Sequence, residues 1–245
     1  MLIESTKKER PELLKVGVFG RSGQGKTSLV KTLPCDPEHV LVIDIENGLE
    51  VLRGADYKNI PYQKLQGSPL EKMRQILGHL KTPEGLNGFK WIVLDSFTEF
   101  SDELKIHMEA NPETYGLKTK SGAFDGLKMY GEIKKYMARI MNAFLGLDGC
   151  SKLVLFGGEE KEDGPDSVFK VMLNGSYSES VMFNFDEFYA VRAVRGEDGP
   201  RHELVTNSDG YYIAKSRMSG GSNTPLDTYE PANLRHIIEK CYGQK

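Results

Sequence analysis

Short, nearly unbroken apolar runs alternate with amphipathic stretches along the first two thirds of the chain. Lys15–Phe19, His39–Ile45, Phe89–Leu94 and Lys152–Phe156 read as strands. Runs without polar alternation are what a parallel sheet covered on both faces requires. Between them the period lengthens to that of a helix. Leu70–Leu80 places Leu70, Met73, Ile76, Leu77 and Leu80 on one face, and Phe97–Glu109 is a second helix. Gly126–Leu147 is the longest predicted helix, with a stripe of Leu127, Tyr130, Ile133, Met137, Ile140, Met141 and Phe144. A shorter helix over Lys26–Leu33 stops before Pro34. Asn111–Asp125, rich in Gly, Lys and Thr, reads as a loop.

From Glu159 the pattern changes. Val168–Leu173, Glu187–Arg195, His202–Thr206 and Tyr211–Ala214 are β-prone pieces separated by turn signals at Asp198-Gly199-Pro200 and Asp209-Gly210. They predict antiparallel strands appended to the C-terminal side of a mostly parallel sheet flanked by helices. A closing helix is expected over Pro231–Cys241. The class is α/β. With no internal repeat and no Pro- or Ser-rich linker, one domain is expected over residues 1–245, its core at about 14–220.

Composition narrows the function classes. A mean hydropathy of −0.43 and the absence of any apolar run near the roughly 20 residues that span a bilayer leave no membrane segment to expect. Met1–Arg10 is charged and no apolar stretch follows it, so no secretory signal is expected. Cys35, Cys150 and Cys241 are far apart and odd in number, which argues against a disulfide framework or a zinc site and for a reducing cytoplasm. The five histidines never fall at metal-ligand spacing. A net charge of −3 excludes a global basic field, so any contact with nucleic acid must come from local patches.

One motif carries specific chemistry. Gly20-Arg21-Ser22-Gly23-Gln24-Gly25-Lys26-Thr27, continued by Ser28, fits G-x-x-x-x-G-K-[ST] between a strand and a helix. Glycines let backbone N–H groups turn inward around phosphate oxygens. Lys26 would reach the β- and γ-phosphates of ATP, and the Thr27 hydroxyl would hold Mg²⁺. A carboxylate to complete the metal site is expected at the end of an apolar strand, where Trp91-Ile92-Val93-Leu94-Asp95-Ser96 supplies Asp95, acting through the magnesium's water shell. The competing reading of Asp95 is a cap on the following helix.

Hydrolysis needs a carboxylate to orient and polarise water. Ser96 occupies the position after Asp95, so the candidate moves to Glu46 in Val42-Ile43-Asp44-Ile45-Glu46-Asn47-Gly48-Leu49-Glu50. Here the chain resembles the RecA-type recombinase core, which places its catalytic glutamate at this strand end and follows its metal aspartate with serine. The resemblance implies a RecA-like ATPase fold and gives Glu46 the role of water-activating base. Asp44 is the poorer candidate, deeper in the strand, and a turn cap is the competing role for Glu46.

Ala214-Lys215-Ser216-Arg217 resembles the K-x-K/R pair that RecA-like ATPases send to a neighbouring subunit's γ-phosphate. By strand alternation Lys215 and Arg217 share a face. The resemblance thus implies a homo-oligomer, ring or filament, with Lys215 and Arg217 acting in trans; an exposed basic strand end is the alternative. Together with the Asp44–Leu49 segment and the Gly126–Leu147 helix, the pattern resembles phage RecA-like ATPases of the Sak single-strand annealing class, type four, over about residues 14–220. This implies a phage recombination protein in the host cytoplasm that binds single-stranded DNA and promotes annealing or pairing.

The first DNA-contacting loop of RecA-like proteins falls near Asn111–Asp125. Lys118, Lys120 and Lys128 are the expected DNA contacts, within a Lys118–Arg139 segment of six basic and two acidic residues. Tyr115, Phe124 and Tyr130 are interleaved there for base stacking. The second loop, after Phe156-Gly157-Gly158, carries Glu159, Glu160, Glu162, Asp163 and Asp166 against Lys161, a poor surface for phosphate. It also lacks the glutamine that senses the γ-phosphate in RecA proteins. That leaves either weak DNA affinity or a dependence on filament formation or on a host single-strand-binding protein. Two rivals stay open: a nucleotide kinase or other phosphotransferase, against which the ten scattered arginines weigh, and a non-hydrolysing nucleotide-binding assembly factor. Arg53 is a weak candidate for stacking on adenine.

Overall fold

A computed structural model describes residues 13–163, 166–196, 199–217 and 225–243. Met1–Arg10, Asp198 and the 218–220 end of the expected core lie outside them. In chain order the elements are β1 (Lys15–Gly20), β2 (Val40–Asp44), β3 (Lys58–Pro61), α1 (Pro69–Leu80), α2 (Pro83–Leu86), β4 (Trp91–Asp95), α3 (Phe97–Ala110), α4 (Gly126–Leu145), β5 (Ser151–Asp163), β6 (Asp166–Val171), β7 (Glu187–Gly196), β8 (Gly199–Val205), β9 (Lys215–Ser216), β10 (Tyr229–Pro231) and α5 (Leu234–Tyr242).

The strands order as β10-β8-β7-β1-β5-β4-β2-β3. The six from β7 to β3 are mutually parallel. Antiparallel pairs add β8, β10, β6 and β9. The α/β class, the parallel sheet and the appended antiparallel strands are therefore as the sequence predicts.

The apolar runs are unbroken because both sheet faces are covered. Alternate residues divide between two cores. Leu41 and Ile43 of β2, Ile92 and Leu94 of β4, and Val154 and Phe156 of β5 pack with α1, α3 and α4. Val40, Val42, Trp91, Val93, Leu153 and Leu155 pack on the other face with Leu29, Val30, Leu234 and Ile237. Continuing that alternation past the strand ends puts Asp44, Glu46 and Asp95 on the face that carries Leu29 and Val30, directly after the glycine-rich bend.

Five expectations change. The closing helix begins at Leu234 and not at Pro231, which ends β10. Lys26–Leu33 is not an α-helix; Thr27–Thr32 forms a 3₁₀ helix that ends at Leu33, before Pro34. The acidic stretch after Gly158 is no loop: β5 runs to Asp163 and pairs with β6 over six residue pairs. Tyr211–Ala214 is no strand, and only a single bridge joins Tyr212 to Phe169. The stripe of α4 enters through Met129, four residues before Ile133, while Leu127 is 91% exposed and Tyr130 is also exposed. Leu127 lies six residues from Ile133, which turns it to the outer face. Among the described residues no helix is long and apolar enough to cross a membrane.

Candidate functional site

The bend from Gly20 to Thr27 closes on itself. Gly23 and Gly25 take φ values of 76° and 84°, which side-chain-bearing residues rarely adopt. Among the described residues nothing lies within 4 Å of where a Cβ on Gly23 would project, so they leave the backbone there bare on its outer side. The Arg21 N–H donates to Gln24 Oε1 (3.0 Å), and the Gln24 N–H donates back to the Arg21 carbonyl (3.4 Å). Lys26 folds its ammonium beneath the bend and donates to the Gly20 and Arg21 carbonyls, both at 3.1 Å. Burial lowers the Lys26 pKa, while the charges of Glu46 and Asp95 oppose that shift.

Thr27 follows on the 3₁₀ turn, and its hydroxyl donates to Asp95 Oδ2 at 2.7 Å. Asp95 is 1% exposed, and its Oδ1 has no hydrogen-bond partner among the described residues. Burial pushes its carboxyl up to about 6; the Thr27 hydrogen bond and Lys26 pull it down, and Glu46 and Asp44 push the same way as burial. Ser96, not Asp95, caps α3, its Oγ accepting from the Glu99 N–H (3.4 Å). The cap reading of Asp95 is thereby excluded.

The Asp95 carbonyl accepts from the N–H groups of Ile45 (2.7 Å) and Glu46 (3.3 Å), tying the end of β2 to the end of β4. Asp44 is buried and its Oδ1 accepts from the Gly48 N–H (3.1 Å). The turn at Asn47, whose φ is 57°, is therefore held by Asp44. Glu46 is left exposed, with its charge acting on both Lys26 and Asp95. Lys26, Thr27, Asp95 and Glu46 are thus gathered at the C-terminal ends of β1, β4 and β2.

A hydroxyl and a buried carboxylate with one unpartnered oxygen are hard donors that fit Mg²⁺. Among the described residues no group of three or more His, Cys, Asp or Glu could hold a metal. Such an ion would complete its shell with water and substrate phosphates, the usual arrangement for Mg²⁺.

Arg21 reaches out of the bend to the β5–β6 hairpin. Its Nη2 sits 2.9 Å from Glu160 Oε2, and its guanidinium lies 5.4 Å from the centre of the Phe169 ring.

Lys215 and Arg217 are not brought to this cluster. β9 pairs with the start of β7, Lys215 opposite Phe188 and Ser216 opposite Glu187. That is the N-terminal end of the parallel strands. Phe188 belongs to the core on the face away from Leu29. Arg217 Nη1 is held at 2.7 Å by Asp186 Oδ1, and Lys215 Nζ stands 5.7 Å over the Phe183 ring. The charges of Lys215 and Arg217 act on each other, as side chains sharing a face would.

In the 111–125 segment, Lys118 pairs with Glu113, and Lys128 Nζ donates to the Gly116 carbonyl at 2.6 Å. Lys120 is exposed. Phe124 and Tyr130 are also exposed, but Tyr115 packs edge-on against His107 and Tyr136 and is not free to stack on a base. Sequence reasoning passed over His202, an exposed residue of β8 whose ring lies against Gly25. Its only sequence signal is its place at the start of the predicted His202–Thr206 strand; the strand register is needed to bring it to the motif.

Among solved structures, a KaiC-like protein, PH0186 from the archaeon Pyrococcus horikoshii OT3, shares 13% identity at a TM-score of 0.46, with 80% of this chain and 79% of that chain covered. No curated protein matches the sequence. The AAA domain family matches residues 12–218, and the chain therefore belongs to this family of P-loop, nucleotide-binding ATPase-like domains.

Proposed function

We propose that the chain is a Mg²⁺-dependent, RecA-like ATPase that works in phage DNA recombination, binding single-stranded DNA and promoting its annealing or pairing as a homo-oligomer. The observation that carries the ATPase reading is the Thr27–Asp95 hydrogen bond, with Lys26 and Glu46 beside it. The triphosphate lies along the backbone of Gly20–Ser28, with Lys26 on its β- and γ-oxygens. Glu46 orients a water on the γ-phosphorus and takes its proton as the new P–O bond forms and the bond to the β-phosphate oxygen breaks. Mg²⁺, when bound, neutralises charge on the phosphate oxygens; Thr27 and Asp95 are the residues that would hold it.

Lys215 and Arg217 lie on the opposite face and at the opposite end of the sheet from their own bend. That placement keeps them from their own γ-phosphate and is consistent with service to a neighbour's, which is the reading proposed for a ring or filament. Single-stranded DNA is bound along Lys118, Lys120 and Lys128, with Phe124 and Tyr130 as exposed stacking groups. The acidic β5–β6 hairpin repels phosphate, so a single-strand-binding protein is the expected helper.

The test is the rate of phosphate release with and without single-stranded DNA, read beside the assembly state on a sizing column. Free phosphate from a DNA-stimulated oligomer supports the reading. A phosphorylated acceptor would replace it with a phosphotransferase, and tight ATP binding without turnover with an assembly factor.

A further inference from the structure

The sheet order gives the nucleotide site a direction. Asp95 and Glu46 follow β4 and β2, on one side of the strand that carries the bend. The γ-phosphate end of a bound nucleotide lies on that side. The nucleoside end must then leave toward the other side of β1, where β7 and β8 extend. Arg53, seven residues beyond Glu46 and ion-paired to Glu50, is on the carboxylate side and so in the wrong place for the base.

On the β7–β8 side, among the described residues, the ring of His202 faces the bend. His202 of β8 pairs with Ala193 of β7. Its neighbours two residues along, Leu204 and Val191, belong to the core that contains Leu29 and Val30, so His202 emerges on the same face as the bend. His202 Nδ1, Cγ and Cε1 lie 3.5, 3.6 and 3.6 Å from where a Cβ on Gly25 would sit. Near-equal distances to three adjacent ring atoms put that point over the ring plane and not off its edge. The imidazole therefore turns one face toward the side of Gly25 where a Cβ would sit. His202 and Ala193 are both exposed, and the alanine methyl leaves the ring's flank uncovered.

We propose that His202 is the nucleobase platform of this site, with the base of the bound nucleotide stacking on the outer face of its imidazole. The proposal deepens the ATPase reading and rests on it. A platform of this kind reads a π-face and not a hydrogen-bond pattern, so it holds adenine and guanine nucleotides alike.

The experiment is calorimetric binding of Mg²⁺-ATP and of inorganic tripolyphosphate, a probe without a base, to the full chain and its variants. His202→Ala is expected to weaken ATP by about tenfold, the order of one lost base–aromatic stack, and to leave tripolyphosphate unchanged. His202→Phe, which keeps a flat ring, is expected to restore ATP. Equal weakening of both ligands, tighter ATP binding by His202→Ala, or failure of His202→Phe to rescue would each overturn the platform. A native chain that binds neither ligand would overturn the nucleotide reading itself. A native chain that binds both equally well would overturn only the platform.

Discussion

The hydroxyl of Thr27 donates to a carboxylate oxygen of Asp95 across 2.7 Å, joining residues that are 68 positions apart in sequence. Strand parity brings them together. Trp91 and Val93 pack with Leu29 and Val30, and Asp95 continues that alternation to the same face. The pair is expected to fix Mg²⁺ dependence. Thr27→Ala and Asp95→Asn should each lower Mg²⁺-dependent turnover by about 10²-fold or more, the order seen when one preorganised charge-stabilising group is lost. Titrating Mg²⁺ at fixed ATP checks this; a variant with the native Mg²⁺ curve would remove these residues from the metal site.

Asp95 also predicts a pH dependence. Burial raises its carboxyl from 3.8 to about 6, so the folded chain holds this proton more tightly than the unfolded chain. Its contribution to stability is complete below about pH 4 and is lost as pH rises through about 6. At pH 7 the buried charge costs about 3 kcal/mol, so Asp95→Asn should be the more stable protein at pH 7, with the gain shrinking toward pH 4. Denaturant titrations at the two pH values measure it. Ligand binding runs the other way: native Mg²⁺-ATP affinity should fall by about tenfold per pH unit below 6, because the metal needs the carboxylate.

Glu46 and Asp44 sit two residues apart and should behave differently. Glu46→Gln keeps the shape of the side chain and removes the base; ATP should still bind while turnover falls by about 10²–10⁴-fold. Asp44→Asn keeps an acceptor for the Gly48 N–H and should retain most of its turnover. Comparable losses from both would show that the strand end matters only for its shape.

Arg21 is shared between the bend and the hairpin. Its ion pair with Glu160 has side chains 56% and 45% exposed, so water screens it and it is worth little. A triphosphate on the bend competes for the same guanidinium. Glu160→Gln should therefore tighten Mg²⁺-ATP binding by about two- to threefold at low salt, and the gain should vanish near 1 M salt, where the screening length is about 3 Å. Unchanged or weaker binding at low salt would mean that Arg21 does not turn to the phosphate.

Lys215 and Arg217 can be tested by mixing. Arg217→Ala should reduce turnover by about 10³-fold, the scale of an arginine supplied to a phosphoryl transition state. Lys26→Ala chains, which lack their own site, should partly rescue Lys215→Ala/Arg217→Ala chains when the two are co-assembled. Absence of rescue in a verified mixed oligomer would end the in trans reading.

The parts of the molecule legible in its sequence are those fixed by short-range rules. β1, β2, β4 and the start of β5 are read from apolar runs because both sheet faces are covered, and the position of Asp95 and Glu46 at the strand ends is legible because each follows such a run, while the role expected of Glu46 comes from the RecA resemblance. The hairpin is hidden because Glu159–Asp163 and Asp166–Val171 form an arm whose pairing comes from its backbone ladder, while its charges imitate a loop. Leu127 and Tyr130 are misplaced by the same local habit: spacings of three and four carry the stripe back to them, yet Met129 is the residue that meets the core. The 3₁₀ turn after Lys26 has the composition of an α-helix. His202 is invisible for a different reason. Its place depends on the register of β8 on β7 and of β7 on β1, two long-range pairings that no local pattern encodes.

The central claim is that a Mg²⁺-triphosphate lies on the Gly20–Ser28 backbone against Lys26. Calorimetric titration of the full chain with Mg²⁺-ATP, beside Lys26→Ala, tests it directly. The expected result is one saturable site per native chain and no measurable binding by the variant. Equal affinity and stoichiometry in the two proteins would contradict the claim.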